Sequence, residues 1–154
     1  ATSSRIVFAG DATDFEGDLV VEGGGFASVR YLPPLSLASE IEALALEVRS
    51  DGRMGYKLTL QSAAAEGVSY QYTLPPLAGS TFTSVRMPLR DFRPTYRGRP
   101  APEAPPLRAA DVRGVGLMLS RYESSGSGAK TSIPPGAFRL SLRALRATDS
   151  ELAI

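Results

Sequence analysis

The chain contains no cysteine, no histidine, no tryptophan and no asparagine. Each absence removes a class of chemistry. Without histidine or cysteine there is no Ser-His-Asp triad, no thiolate nucleophile and no imidazole or thiolate metal site. Disulfides are impossible, so redox chemistry says nothing about the compartment. N-linked glycosylation needs asparagine and is excluded too. No apolar run approaches the roughly 20 residues of a membrane-spanning helix. No signal or transit peptide is visible. Lysine is nearly absent: Lys57 and Lys130 are the only two, and the other basic residues are arginines.

What is present is ordinary in bulk and uneven in placement. The 154 residues are 43% hydrophobic and 21% charged, the composition of a soluble globular protein. That length predicts one domain, 1–154, burying roughly 68–70% of its extended-chain surface. The net charge of +1 gives no overall field toward nucleic acid or an anionic membrane. Acidic residues nevertheless gather at Asp11, Asp14, Glu16, Asp18 and Glu22, and six arginines fall between residues 86 and 108.

Alternation of period two dominates the pattern, which predicts half-buried strands. Leu44, Leu46 and Val48 alternate with polar or small residues, as do Tyr56, Leu58 and Leu60; Tyr70, Tyr72 and Leu74; Val85, Met87 and Leu89; and Phe138, Leu140 and Leu142. Further strands are expected at 4–8, 15–22, 26–32 and 113–120. The last lacks clean alternation and is expected to be central, covered on both faces. Turn signals punctuate these runs at Gly23–Gly25, Pro33-Pro34, Asp51-Gly52, Pro75-Pro76 and 124–128. Asp51-Gly52 between two alternating runs predicts a hairpin. Pro100 to Pro106 reads as a crossing loop that no central strand can accept. Helix is confined to short turns near Leu37–Leu44 and Ala109–Val112. The predicted fold class is all-β: an antiparallel β-sandwich, because an amphipathic sheet must bury its apolar face against another layer. Its predicted core includes Leu44, Leu46, Val48, Tyr56, Leu58, Leu60, Leu117, Leu119, Phe138, Leu140 and Leu142.

No segment carries recognisable catalysis. Gly126–Thr131 has the wrong spacing for a phosphate-binding loop and reads as a surface loop. Gly23–Gly25 lacks the helix of a dinucleotide fingerprint. The acidic residues 11–22 could offer oxygen ligands to calcium, but their strand pattern favours a polar outer face. Glu47 and Asp51 have no spacing that marks a glycosidase pair. The expectation is a chain with no catalytic residues, no metal site and no cofactor. Arg86, Arg90, Arg93, Arg97 and Arg99, interleaved with Phe92 and Tyr96, suit either an RNA strip or a protein interface. Near-zero net charge favours the interface.

Three segments then point to a family. Gly23-Gly24-Gly25-Phe26-Ala27-Ser28-Val29-Arg30, Ser50-Asp51-Gly52-Arg53-Met54-Gly55-Tyr56-Lys57, and Met87 to Arg99 with its Phe92-Arg93-Pro94-Thr95-Tyr96-Arg97-Gly98-Arg99 core resemble, in that order, the domain named after the thirty-kilodalton complex I intermediate-associated protein. Pro106-Leu107, Val112–Gly116 and Gly136–Leu140 resemble its later segments. Met118–Glu123 resembles plant and cyanobacterial members most. Two departures stand out: the family's Trp-containing opening segment is missing, and Phe82 replaces its usual tryptophan. The resemblance implies a galactose-binding-like jelly roll and a non-catalytic assembly factor or scaffold. Such a factor would bind protein subunits, or other assembly factors, of a respiratory or photosynthetic membrane complex, peripheral to the membrane at most. It implies a chloroplast, a mitochondrial matrix or a bacterial cytoplasm, with the chloroplast favoured. Alternatives are a carbohydrate-binding module, or an accessory domain of an NAD(P)-binding dehydrogenase-like protein. The motif residues Phe26, Arg30, Asp51, Arg53, Phe92, Tyr96, Arg97 and Arg99 are expected to serve as interface or structural residues.

Overall fold

Alternating side chains can stabilise a strand only if one face finds a partner layer, and here two sheets supply it to each other. A computed structural model describes residues 3–9, 12–19, 26–31, 36–52, 55–77, 81–120, 122–124, 130–132 and 136–148. Its strands are β1 (Ser3–Ala9), β2 (Ala12–Leu19), β3 (Phe26–Tyr31), β4 (Ala43–Ser50), β5 (Tyr56–Ser62), β6 (Val68–Thr73), β7 (Thr83–Pro88), β8 (Arg93–Tyr96), β9 (Arg99–Pro100), β10 (Val112–Ser120), β11 (Tyr122–Ser124), β12 (Lys130–Ser132) and β13 (Gly136–Thr148). Short 3-10 turns span Leu89–Asp91 and Ala109–Asp111. There is no α-helix among the described residues.

Five strands form one sheet in the order β1-β2-β13-β4-β7, and six form the other in the order β3-β10-β5-β6-β8-β9. Every described pairing is antiparallel. Leu44, Leu46 and Val48 of the first sheet and Tyr56, Leu58 and Leu60 of the second are at most 2% exposed. They form one cluster with Phe15, Tyr70, Met87, Phe92, Leu119, Phe138 and Leu140. Phe138 meets Phe15 of its own sheet edge-on at 5.1 Å and Tyr56 of the other sheet at 6.3 Å, the latter contact joining the layers, a geometry that aromatic quadrupoles favour. Of the predicted core only Leu142 is partly buried. The cause is local. Between Leu142 and Ala144 a bulge shifts the register of β13 against β4, and Leu145 beyond it is exposed.

The expected 113–120 strand does lie inside its sheet, between β3 and β5. Its outer side carries Gly114, Gly116 and the half-buried Met118. A Cβ at Gly116 would sit 2.6 Å from the Val29 carbonyl and 2.9 Å from Thr59 Oγ1.

The expected hairpin at Asp51-Gly52 is not one. β4 and β5 belong to different sheets, so this turn carries the chain across the sandwich. Gly52 and Gly55 supply left-handed φ values of 85° and 99° there, conformations that cost glycine nothing. The crossing leaves a backbone donor of β13 without a strand opposite it. Asp51 Oδ2 fills that place, accepting from the Arg139 N–H at 2.9 Å and from the Tyr56 hydroxyl at 3.0 Å.

Candidate protein interface at an arginine hairpin

The arginine-aromatic strip expected from Arg86 to Arg99 is divided by the fold. Val85 and Met87 bury inward on β7, and the 3-10 turn at Leu89–Asp91 then lifts the chain from the five-stranded sheet to the six-stranded one. The Leu89 N–H donates to the Glu42 carbonyl at 2.9 Å, and the Phe92 N–H closes the turn on the Leu89 carbonyl at 3.2 Å. Phe92 is 5% exposed and packs on Tyr72 with centroids 5.4 Å apart. It anchors the crossing. Arg86 faces outward on the first sheet, whereas Arg93 lies opposite Gln71 on the second.

Beyond Phe92, β8 runs antiparallel to β6 and then folds back through a two-residue turn into β9. Arg97 and Gly98 form its tip with φ of 51° and 78°. Two consecutive positive φ values define the turn whose twist matches paired strands. Asparagine or glycine normally occupies the first of these positions, and the chain has no asparagine. An arginine there carries strain, on the order of 1–2 kcal/mol. Arg97 is the only non-glycine with positive φ among the described residues. Strained positions persist where function or surrounding structure holds them. Thr95 Oγ1 donates to the Ser69 carbonyl at 3.1 Å, and the Ala101 N–H donates to the Pro94 carbonyl at 3.0 Å, fixing the base of the hairpin.

The tip is presented outward. Tyr96 is 45% exposed, and the Arg97 guanidinium stands 5.2 Å from its ring centroid, within range of a cation–π contact. Gly67 underlies the ring: a Cβ there would lie 3.2 Å from Tyr96 Cε1. Arg93, Arg97 and Arg99 are exposed and form no ion pair with any described carboxylate. An exposed tyrosine beside uncommitted guanidiniums is the chemistry that recognises protein surfaces, where arginine and tyrosine carry much of the binding energy.

The other motif residues do not join this tip. Arg30 is exposed on β3, opposite Gly116, at the far edge of the same six-stranded sheet. Phe26 opens that strand opposite Ser120, and its side chain lies outside the described residues, as does Arg53. Asp51 serves the sheet crossing. Glu47 binds Arg143 at 2.9 Å and Arg146 at 3.3 Å. The hydrogen bond from Arg143, supported by that from Arg146, holds the Glu47 carboxyl below the usual carboxylate range. Of the acidic run, Asp14 and Glu16 face Arg139 at 3.8 and 3.6 Å. No group of three or more potential metal ligands occurs among the described residues. Sequence reasoning missed the β8–β9 hairpin because Pro94 and the arginines obscure alternation. The Thr-Tyr-Arg-Gly-Arg run was its one available signal, with Arg-Gly at a turn.

Residues 2–142 match the family described as Complex I intermediate-associated protein 30 (CIA30). An uncharacterized protein of Schizosaccharomyces pombe, C9E9.15, is 34% identical over 61 residues, which are 40% of this chain and 28% of that protein. The matched stretch is thus under a third of that relative's length. Among solved structures, the family 11 carbohydrate-binding module of the Clostridium thermocellum cellulase Lic26A-Cel5E superposes with a TM-score of 0.57 at 12% identity. That superposition covers 92% of this chain and 81% of the module. The family 11 module from Clostridium thermocellum in complex with a β-1,3-1,4-mixed-linked tetrasaccharide gives 0.56 at 14% identity, covering 92% and 82%. These likenesses establish the β-sandwich, jelly-roll architecture.

Proposed function

Because the chain belongs to the complex I intermediate-associated protein 30 family, we propose that it is a non-catalytic assembly factor. In this reading it binds protein subunits while a respiratory or photosynthetic membrane complex is built. One observation carries the reading within this chain. The Tyr96-Arg97-Gly98-Arg99 tip is strained, exposed and free of described ion pairs, while Phe92 fixes its base in the core. A rigidly mounted tip of this kind lowers the entropy cost of recognition. For its compartment the family name supports the mitochondrion, the chloroplast alternative rests on the Met118–Glu123 segment alone, and the bacterial cytoplasm is the remaining alternative. No helix among the described residues is long and apolar enough to cross a membrane.

The carbohydrate-binding alternative needs a stacking platform of exposed aromatics. The described side chains on the outer face of the six-stranded sheet are instead Ser28, Arg30, Lys57, Thr59, Gln61, Gln71, Arg93 and Met118, and Phe26 is the single aromatic that the register of the described strands adds to that face. Affinity purification of the tagged protein from organelle extracts, read by mass spectrometry, tests the proposal. Subunits or assembly factors of one membrane complex are expected. Their consistent absence, or clear hits on a glycan array, would overturn it.

A further inference from the structure

The fold assembles an arginine group that is scattered in the sequence. On the outer face of the five-stranded sheet, one register row runs Arg146, Ala45, Arg86 across β13, β4 and β7. The adjacent row is Ala144, Glu47, Ser84, with Arg143 beside it at the bulge. Phe82 then brings in Arg49: its ring lies 4.3 Å from the Arg143 guanidinium and 4.8 Å from that of Arg49. Among the described residues, Arg86, Arg143 and Arg146 share this half of the face with the carboxylate of Glu47, and Arg49 lies beside them across the Phe82 ring.

Their geometry is pre-set. Phe82 supports two of the guanidiniums, and Glu47 holds Arg143 and Arg146 at once. One carboxylate cannot satisfy two planar forks, each of which offers paired donors. The side chains of Arg143 and Arg146 remain 43% and 63% exposed. Arg86 Nε is buried and has no hydrogen-bond acceptor. Ala45, between Arg146 and Arg86 in that row, carries only a methyl group. Two strand spacings place those arginines about 10 Å apart, the span of three residues of extended chain.

We propose that this surface binds an extended acidic segment of a partner protein, with carboxylates two or three residues apart bridging Arg86 and Arg146. Charge argues for a short segment over a continuous polyanion. The other half of the same face carries Asp14 and Glu16 against Arg139, and these carboxylates repel a nucleic-acid backbone or an anionic lipid surface lying across the sheet. Phe82 is already covered by two arginines and offers no platform for a base. This surface lies on the opposite sheet from the β8–β9 hairpin, so it is a second contact. It stands or falls independently of which complex the protein serves.

Fluorescence anisotropy with labelled hexaglutamate tests it, using the whole chain, with oligothymidylate and phosphatidylserine-containing vesicles as competing probes. Saturable hexaglutamate binding that weakens with salt is expected. Arg86→Gln/Arg146→Gln should weaken it about tenfold or more, from loss of charge-assisted pairs. Arg97→Gln/Arg99→Gln on the hairpin should leave it within roughly twofold. Arg146→Glu reverses charge at the most exposed of the four positions and gives the same answer should the double variant fold poorly. Absence of saturable binding, equal loss in the hairpin variant, or tighter binding to oligothymidylate or vesicles would each overturn the proposal. Failure to recover membrane-complex subunits from organelles would leave it intact.

Discussion

Replacing Asp51 by alanine should destabilise the fold without touching partner recognition. Its Oδ2 accepts from the hydroxyl of Tyr56, a residue 1% exposed, and from the Arg139 N–H left over where β4 departs. Losing the acceptor of a buried hydroxyl costs about 1–2 kcal/mol. The Arg139 N–H lies at an exposed site where water can substitute, so its share is about 0.5–1 kcal/mol. The sum, about 1.5–3 kcal/mol, should lower the Tm by about 3–12 °C for a chain of this size. Asp51→Asn keeps an acceptor and should cost about half as much or less. A double-mutant cycle with Tyr56→Phe should show coupling near 1 kcal/mol, because both changes delete one bond. Differential scanning calorimetry or circular-dichroism melting gives the numbers. An Asp51→Ala Tm within about 1 °C of wild type, or strict additivity in the cycle, would refute the assignment of Asp51 as the clasp between sheets.

Tyr70 donates to the Pro105 carbonyl at 2.6 Å, pinning the proline-rich loop, and burial pushes its hydroxyl pKa up, with the Asp111 charge adding to the effect. The raised folded pKa means a contribution that is complete below the unfolded value and declines from about pH 10 upward. Tyr70→Phe should cost about 1 kcal/mol near neutrality in chemical denaturation and flatten that alkaline decline. Glu47 has the opposite sign: its lowered folded pKa gives stability that is present above the unfolded value and lost as acid protonates it. Glu47→Gln should therefore melt lower at neutral pH and lose less stability between about pH 6 and pH 3 than wild type. Gly116→Ala should destabilise by about 1–3 kcal/mol, since its Cβ would press on the Val29 carbonyl and Thr59 in a packed strand.

Much of the architecture was legible because burial imposes a period of two. Wherever one face of a strand was covered, as at 44–48, 56–60 and 138–140, the sequence carried that period and the core followed. Sheet membership was less legible. Asp51-Gly52 has hairpin chemistry, yet turn residues specify local φ values and not which sheet the next strand joins. β8 and β9 were hidden because the margin of a sheet tolerates proline and charge: β9 is the edge and pairs only Thr95 and Tyr96 of β8, so Arg93-Pro94 and Arg99-Pro100 resemble loop. The arginines misled in a second way. Proximity in sequence suggested one strip from Arg86 to Arg99, but the 3-10 turn at Leu89–Asp91 sends its ends to opposite sheets. Arg49, Arg86, Arg143 and Arg146 meet only through strand order, which no single-segment pattern encodes.

The central claim is that the domain works by holding protein partners, with the arginine hairpin as a contact. Its most direct test is quantitative recovery of bound subunits from organelle extracts by tagged wild type and by Arg97→Gln/Arg99→Gln. Both proteins should melt at the same temperature, and the variant should lose most of the subunits that wild type retains. Equal recovery by both proteins at equal stability would contradict the claim.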